Sequence, residues 1–459
     1  MPEPRKTSPR EVDFVVVGAG VAGLTFAESV LRQGASVVVV ERNDHVGGLA
    51  RSFQYGDFVF DVGPKRFHTE DQEVLEFLLS VLGKDFIEVD RSSAVHLFGK
   101  YFSWPLDQKA LFRLPFPVMF SAGVDLLRRK PPADETSFTE YTRSRYGETL
   151  YRLFFKPYTE KFLQIPCEDV HVDWARTGIN RAVIDKRVKS ETLFDLVKNV
   201  LLPRPVVTKF LYPSYGGFGT FCEKLAASVR ERGGDIRLSN TIVAMDTVEG
   251  GVRSVELKDG ERLRGKFVVW SGNLVALAKL LSAPPPKIRY LSTLLYNIEV
   301  EADVLQKQQW IYYGGQDTVL SRVSITKEMA QYMSPEGKTG LCVEVTGFEG
   351  QGTWARPEGH IDEIREDLVR LELVRSASDF GAIHVDRVRD TYPIYDLEYK
   401  KNFAEAARMV KPFGNLKLLG RTGAYWYNNS DHSMKMSLHM AKHLLVGTPM
   451  VDKETLFEV

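Results

Sequence analysis

The chain has 459 residues and a mass of 52.0 kDa, more than one simple core holds, so two or three intertwined domains are expected. With 60 Lys and Arg against 60 Asp and Glu the net charge is zero. That excludes bulk attraction to nucleic acid or anionic lipid and leaves any anionic ligand to local clusters. Cys167, Cys222 and Cys342 lack zinc-site spacing, so no metal is expected, and so sparse a set suits a reducing, cytoplasmic compartment.

The first twelve residues are polar and read as a loose tail. Asp13–Val17 is a short apolar run, a buried parallel strand. Gly18-Ala19-Gly20-Val21-Ala22-Gly23 follows as a turn, Leu24–Gln33 reads as a helix and Ser36–Val40 as the second strand. The segment Leu111–Leu127 is apolar, is broken by Pro115 and Pro117, and ends on Arg128, Arg129 and Lys130. It reads as a packed helix with a basic end, with a membrane-surface helix as the alternative; no run is long enough to span a bilayer. Tyr101–Val200 forms a mostly helical layer, and Pro203 and Pro205 mark a break. Cys222–Arg232 is an amphipathic helix stopped by Gly233-Gly234. Strands are expected at Asp235–Leu238, Val252–Leu257 and Lys266–Val269. Thr293–Val300, Gln309–Tyr313, Leu320–Ile325 and Gly340–Val345 suggest an antiparallel sheet. Pro357–Leu373 is a helix candidate, Leu416–Gly420 a last strand and Ser430–Leu445 a last helix.

The glycine turn matches G-x-G-x-x-G inside a βαβ unit, the context that makes it a dinucleotide fingerprint. Gly18 permits the tight turn, Gly20 lets a pyrophosphate approach the backbone, and Gly23 lets the helix pack on the strand. The helix N-terminus supplies unpaired N–H groups for that pyrophosphate. Glu41 ends the second strand, where an acid would bind a ribose hydroxyl. The stretch from Glu41 and Arg42 through Gly47, Gly48, Leu49 and Arg51 to Ser52 resembles the extended flavoprotein signature of amine oxidases, phytoene desaturases, protoporphyrinogen oxidases and UDP-galactopyranose mutases. The resemblance implies a non-covalent FAD. It also implies an α/β fold: a Rossmann-type FAD-binding domain with a mixed parallel sheet, an inserted helical substrate domain and an antiparallel-sheet substrate domain. The expected boundaries are 10–98, 205–285 and 410–447 for FAD, 99–204 for the helices and 286–409 for the second sheet.

Four later segments resemble the mutases. They are Gly63-Pro64-Lys65-Arg66-Phe67-His68-Thr69, Gly99–Leu106, Phe155-Lys156-Pro157-Tyr158-Thr159-Glu160-Lys161 and Gly420-Arg421-Thr422-Gly423-Ala424-Tyr425-Trp426-Tyr427. The resemblance implies pyranose–furanose interconversion of a UDP- or GDP-hexose, with N5 of reduced FAD attacking the anomeric carbon and an external electron donor keeping the flavin reduced. His68, Arg176, Arg421 and Tyr427 would be catalytic. Val243, Gly420, Asp431 and Ser433 would join the FAD site. Tyr158, Arg176, Arg181, Arg289, Arg322, Tyr395, Tyr425, Tyr427 and Asn429 would bind substrate. The chain departs from the family at Lys65, Leu163, Leu291 and Asn429. Most of these fall on the nucleotide side, which implies a base other than uracil, such as that of GDP.

Several residues keep a second reading. His68 also fits a cap for a helix starting near Asp71. Arg322 also fits a cross-strand ion pair. Asp431 and Ser433 also fit a cap of the last helix. Tyr425 and Tyr427, two apart, would face the same side of an extended segment. The same scaffold serves amine oxidases, protoporphyrinogen oxidases and desaturases, so an FAD-dependent oxidoreductase is the alternative function, and an inactive flavin-fold protein a third.

Overall fold

The computed structural model describes residues 8–104, 113–128, 130–182 and 209–450. Pro203, Pro205, Leu111, Arg129 and the side chain of Arg181 lie outside the described residues.

Consecutive valines make Arg10–Val17 and Val37–Val40 central strands that are buried on both faces. Between them runs the helix Val21–Leu31, buried almost throughout. The first sheet has the order Ile242–Val248, Gly251–Leu257, Arg262–Trp270, Arg10–Val17, Val37–Val40, Asp235–Arg237, and Leu416–Leu418 pairs with Arg262–Trp270 off this path. Arg10–Val17 is parallel to both neighbours, and Arg262–Trp270 is parallel to Leu416–Leu418. The parallel strands therefore end on one edge, at Val17, Val40, Trp270 and Leu418. The loops that follow those ends build the site, as ligands in open α/β sheets lie outside the carboxyl ends of the strands.

The second sheet has the order Phe380–Pro393, Tyr290–Val300, Thr339–Gly347, Arg322–Ile325, Trp310–Tyr313, Ser93–Leu97, Lys100–Ser103. It is antiparallel except where Trp310–Tyr313 runs parallel to Ser93–Leu97. Residues 93–103 thus extend this sheet beyond the 286–409 range read from the sequence. Helices fill the layer between: Phe116–Leu127, Phe138–Tyr146, Lys156–Leu163 and Val172–Ala182. The helix Phe116–Leu127 is not packed on all sides, because Phe116, Phe120 and Leu127 are 64–71% exposed. Among the described residues no helix is long and apolar enough to cross a membrane.

Gly23 is fixed by sterics. A Cβ there would lie 2.0 Å from the Gly18 carbonyl oxygen, which is backbone and cannot swing away. Gly23→Val is expected to yield no folded, FAD-containing protein, checked by flavin absorbance of the purified chain. A yellow, stable variant would contradict this packing.

Candidate functional site

A cleft of about 1760 Å³ runs from the carboxyl edge of the first sheet to the second sheet and the helical layer. At one end the helix Val21–Leu31 points its N-terminus into the cleft, with Gly20 at the N-cap and no side chain satisfying its amides. Such an end is suited to a pyrophosphate. Gly20 forms a bridge with Gly47, and the Gly47 N–H donates to the Ala19 carbonyl at 2.8 Å. The two glycine turns therefore form one ledge.

Glu41 is buried at the end of the second strand. Its Oε2 accepts from the Ala19 N–H at 2.9 Å, and its Oε1 accepts from the backbone and side chain of Asn43 at 2.9 and 2.7 Å. Those bonds orient the carboxylate while leaving lone pairs for ribose hydroxyls. Arg51 lies over the Phe53 ring at 4.4 Å and contacts His45, and its buried Nε has no partner among the described residues. Arg42 is half exposed beside Asp390 at 3.8 Å. The ledge, the oriented acid and the unpartnered Arg51 nitrogen all fit a dinucleotide such as FAD. Glu41→Ala is expected to cut FAD retention by roughly 10–100-fold, read by dialysis against apo-protein, because the turn and the ribose contact are lost together.

The deeper half of the cleft is cationic. Arg421 follows the last strand on the helical turn Gly420–Gly423. Its guanidinium lies 4.5 Å from the Tyr392 ring centre and 4.6 Å from that of Tyr427. Its Nη1 donates to the Asn428 carbonyl at 3.1 Å, while Nε and Nη2 are buried with no hydrogen-bond partner among the described residues. Tyr427 stacks on Trp174 at 4.7 Å, and its backbone N–H donates to the Tyr395 hydroxyl at 2.8 Å.

Arg322 pairs with Glu344 through Nε and Nη2, both at 2.6 Å, in the register Arg322↔Glu344 of adjacent strands. The cross-strand ion pair is thus present, and Arg322 lines the cleft as well. Arg176 lines the cleft from the helical layer, exposed and 3.4 Å from Asp173. Lys65 and Arg66 line it after Pro64. Burial, then the neighbouring Arg421, pulls the Lys65 amine down to about 8. His68 also lines the wall, with its pKa held below the usual value by burial and by Arg66, so it is neutral at pH 7.

The cleft brings together Gly18, Gly20, Glu41, Arg42, Gly48, Leu49, Arg51, His68, Arg176, Arg322, Gly420, Arg421, Tyr427, Asn429, Asp431 and Ser433. Others lie elsewhere. Gly23 packs helix on strand. Val243 is half exposed on its strand, and Asn240 and Thr241 line the cleft instead. Arg289 sits outside, 3.8 Å from Asp396 and over the Phe348 ring. Tyr158 lies one layer back, edge-on to Tyr312, which does line the cleft. Tyr395 supports Tyr427 from behind.

Tyr425 and Tyr427 do not share a side. Tyr425 takes φ 46°, and this left-handed turn sends its ring into the core, where its hydroxyl donates to the Ile394 carbonyl at 2.7 Å. The caps also differ from expectation. Asp71, not His68, caps the helix Gln72–Leu82 by accepting from the Val74 N–H at 3.1 Å. Asn429, not Asp431 or Ser433, caps Ser430–Val446 in a reciprocal box with His432, while Ser433 Oγ donates to Asn428. Leu163 and Leu291 are core residues rather than cleft residues. No motif marks Arg91, Trp310, Tyr312 and Tyr392, which reach the cleft from ordinary strands and a loop.

A phytoene desaturase (lycopene-forming) of Pantoea ananas is 22% identical over 300 residues, covering 60% of this chain and 58% of that protein. A protein named "Probable UDP-galactopyranose mutase" of Klebsiella pneumoniae is 28% identical over 156 residues, 32% of this chain and 40% of that protein. The chain thus spans less than two thirds of either relative. Among solved structures, reduced UDP-galactopyranose mutase has a TM-score of 0.81 over 97% of both chains at 20% identity, a likeness of fold. The family profile of flavin containing amine oxidoreductases matches residues 21–401. A match of that extent, over a cleft shaped for the dinucleotide, makes the chain a flavoprotein with FAD as its cofactor and a member of the flavin containing amine oxidoreductase family.

Proposed function

We propose that this chain is a flavin-dependent pyranose–furanose mutase acting on a UDP- or GDP-hexose. Arg421 carries the reading. A buried guanidinium with two nitrogens unpartnered among the described residues needs an anion, since each unmet donor costs ~1–3 kcal/mol. A diphosphate meets that need; an apolar amine or polyene does not. The fold shared with reduced UDP-galactopyranose mutase supports the same reading.

Bound FAD, once reduced by an external donor, supplies the nucleophile. The chain's own residues do the rest. Arg421, Arg322 and Arg176 hold the diphosphate as negative charge grows on it and keep it in place for return. Glu344 fixes the direction of the Arg322 fork. Trp174 and Tyr395 fix Tyr427, whose hydroxyl serves the same diphosphate. His68 stays neutral and keeps one ring nitrogen as a proton acceptor at the cleft wall. The segments 10–98, 205–285 and 410–447 form the FAD-binding domain in this reading, with 99–204 and 286–409 holding substrate, in a cytoplasmic protein.

The oxidoreductase alternative draws on the desaturase relative and on the exposed Phe116, Phe120 and Leu127. It leaves the cations of the cleft without work. Calorimetric titration of the FAD-loaded protein with UDP and with GDP tests the reading and selects the base. Micromolar binding of one nucleotide is expected, and no binding of either overturns it.

A further inference from the structure

Arg176, Arg322, Arg421 and Tyr427 serve the diphosphate, and Lys65 and Arg66 have no part in that. Both line the cleft and both are half-buried. Neither makes a hydrogen bond or an ion pair among the described residues. The charges around Lys65 are Arg421, Glu344, Arg322 and Asp61. Neither carboxylate is free to neutralise it. Glu344 is committed to Arg322 by two bonds of 2.6 Å. Asp61 is buried beneath Ser52, Tyr212 and the Phe218 N–H, with all three donating to it. Arg66 lies over the Trp310 ring at 5.2 Å, and Arg91 lies near the same ring at 5.7 Å. Arg66 also feels the Asp431 carboxylate of the cleft wall, without an ion pair to it among the described residues. Lys65 and Arg66 thus set like charge side by side on a partly desolvated wall, an arrangement that a ligand of opposite charge would relieve.

The position of this wall limits what the ligand is. The FAD pyrophosphate belongs at the Gly20–Gly47 ledge, whereas Lys65 has Arg421 and Arg322 as its neighbours, at the substrate end. The substrate diphosphate already has the donors of those two arginines. A further anion on the substrate would meet the charge of Lys65 and Arg66.

We propose that Lys65 and Arg66, with Arg91 at the same Trp310 ring, form a second anion subsite, and that the sugar nucleotide carries a carboxylate on its glycosyl unit, as a hexuronate does. The planar Arg66 fork and the Lys65 point charge suit a carboxylate. This inference rests on the nucleotide-sugar reading.

The test is calorimetry on the FAD-loaded, oxidised protein with UDP-glucose against UDP-glucuronate and GDP-mannose against GDP-mannuronate. The expected result is at least about tenfold tighter binding of the uronate with the accepted base. That ratio collapses toward one in Lys65→Met and in Arg66→Gln. In the wild type it also falls as pH rises through about 8, where the Lys65 amine loses its charge. Equal affinity for the uronate and the neutral sugar in the wild type overturns the subsite while leaving the mutase reading intact. So does a ratio unchanged in both variants. Binding of neither sugar nucleotides nor free UDP and GDP overturns both.

Discussion

Replacing Glu344 with alanine is expected to lower the stability of the FAD-loaded protein by ~3–5 kcal/mol, the range for removing one partner of a buried ion pair. Glu344 is 2% exposed and holds Arg322 through two bonds. Without it Arg322 stays in the protein beside Lys65 and Arg421 and loses both of its bonds to a carboxylate. Gly63 packs against the same carboxylate, since a Cβ there would come within 2.6 Å of Glu344 Oε1. The loss therefore reaches the wall that carries Lys65, Arg66 and His68. Urea unfolding followed by flavin fluorescence measures it. The double variant Glu344→Leu with Arg322→Met should be less destabilised than Glu344→Ala, because it removes the orphaned charge as well. A single-variant loss under ~1 kcal/mol would mean that the pair is well solvated.

Arg421→Met is expected to lower turnover of the sugar nucleotide by roughly 10²–10³-fold, the effect of removing one donor that stabilises developing charge. Methionine keeps much of the packing between Tyr392 and Tyr427, so the thermal midpoint should move far less than turnover. Arg421→Lys should also fail to restore activity, since an ammonium cannot reproduce the planar, multi-donor fork of a guanidinium. A variant with near wild-type turnover would remove Arg421 from the chemistry.

The FAD half was readable because its signals are local. A valine run, a glycine turn with fixed spacing and a helix within one βαβ unit leave few alternatives, and Val17, Gly18 and Glu41 fall where such a unit puts them. The second sheet was read only in part. Phe380–Pro393 alternates charged and apolar residues at the sheet edge, half of it only partly buried, and so lacks the apolar run of an inner strand. Arg91 and Trp310 meet only because Trp310 pairs with Ser93, more than two hundred residues earlier, a register with no trace in either segment alone. Tyr425 was misread for a conformational reason. One left-handed residue in a short loop reverses the alternation that an extended segment would impose. Arg421 stood out by its glycine neighbours, but its stacking between Tyr392 and Tyr427 requires the second sheet to close over the first.

A product assay decides on the mutase chemistry. The FAD-loaded protein, reduced with dithionite, is offered UDP- and GDP-linked hexoses and hexuronates, and the ring form of the sugar is followed by chromatography. Furanose product is expected from one nucleotide series, formed only with the flavin reduced and with no net flavin oxidation. Unchanged pyranose in every series, with flavin oxidation or reduction coupled instead to an amine or a polyene, would contradict it.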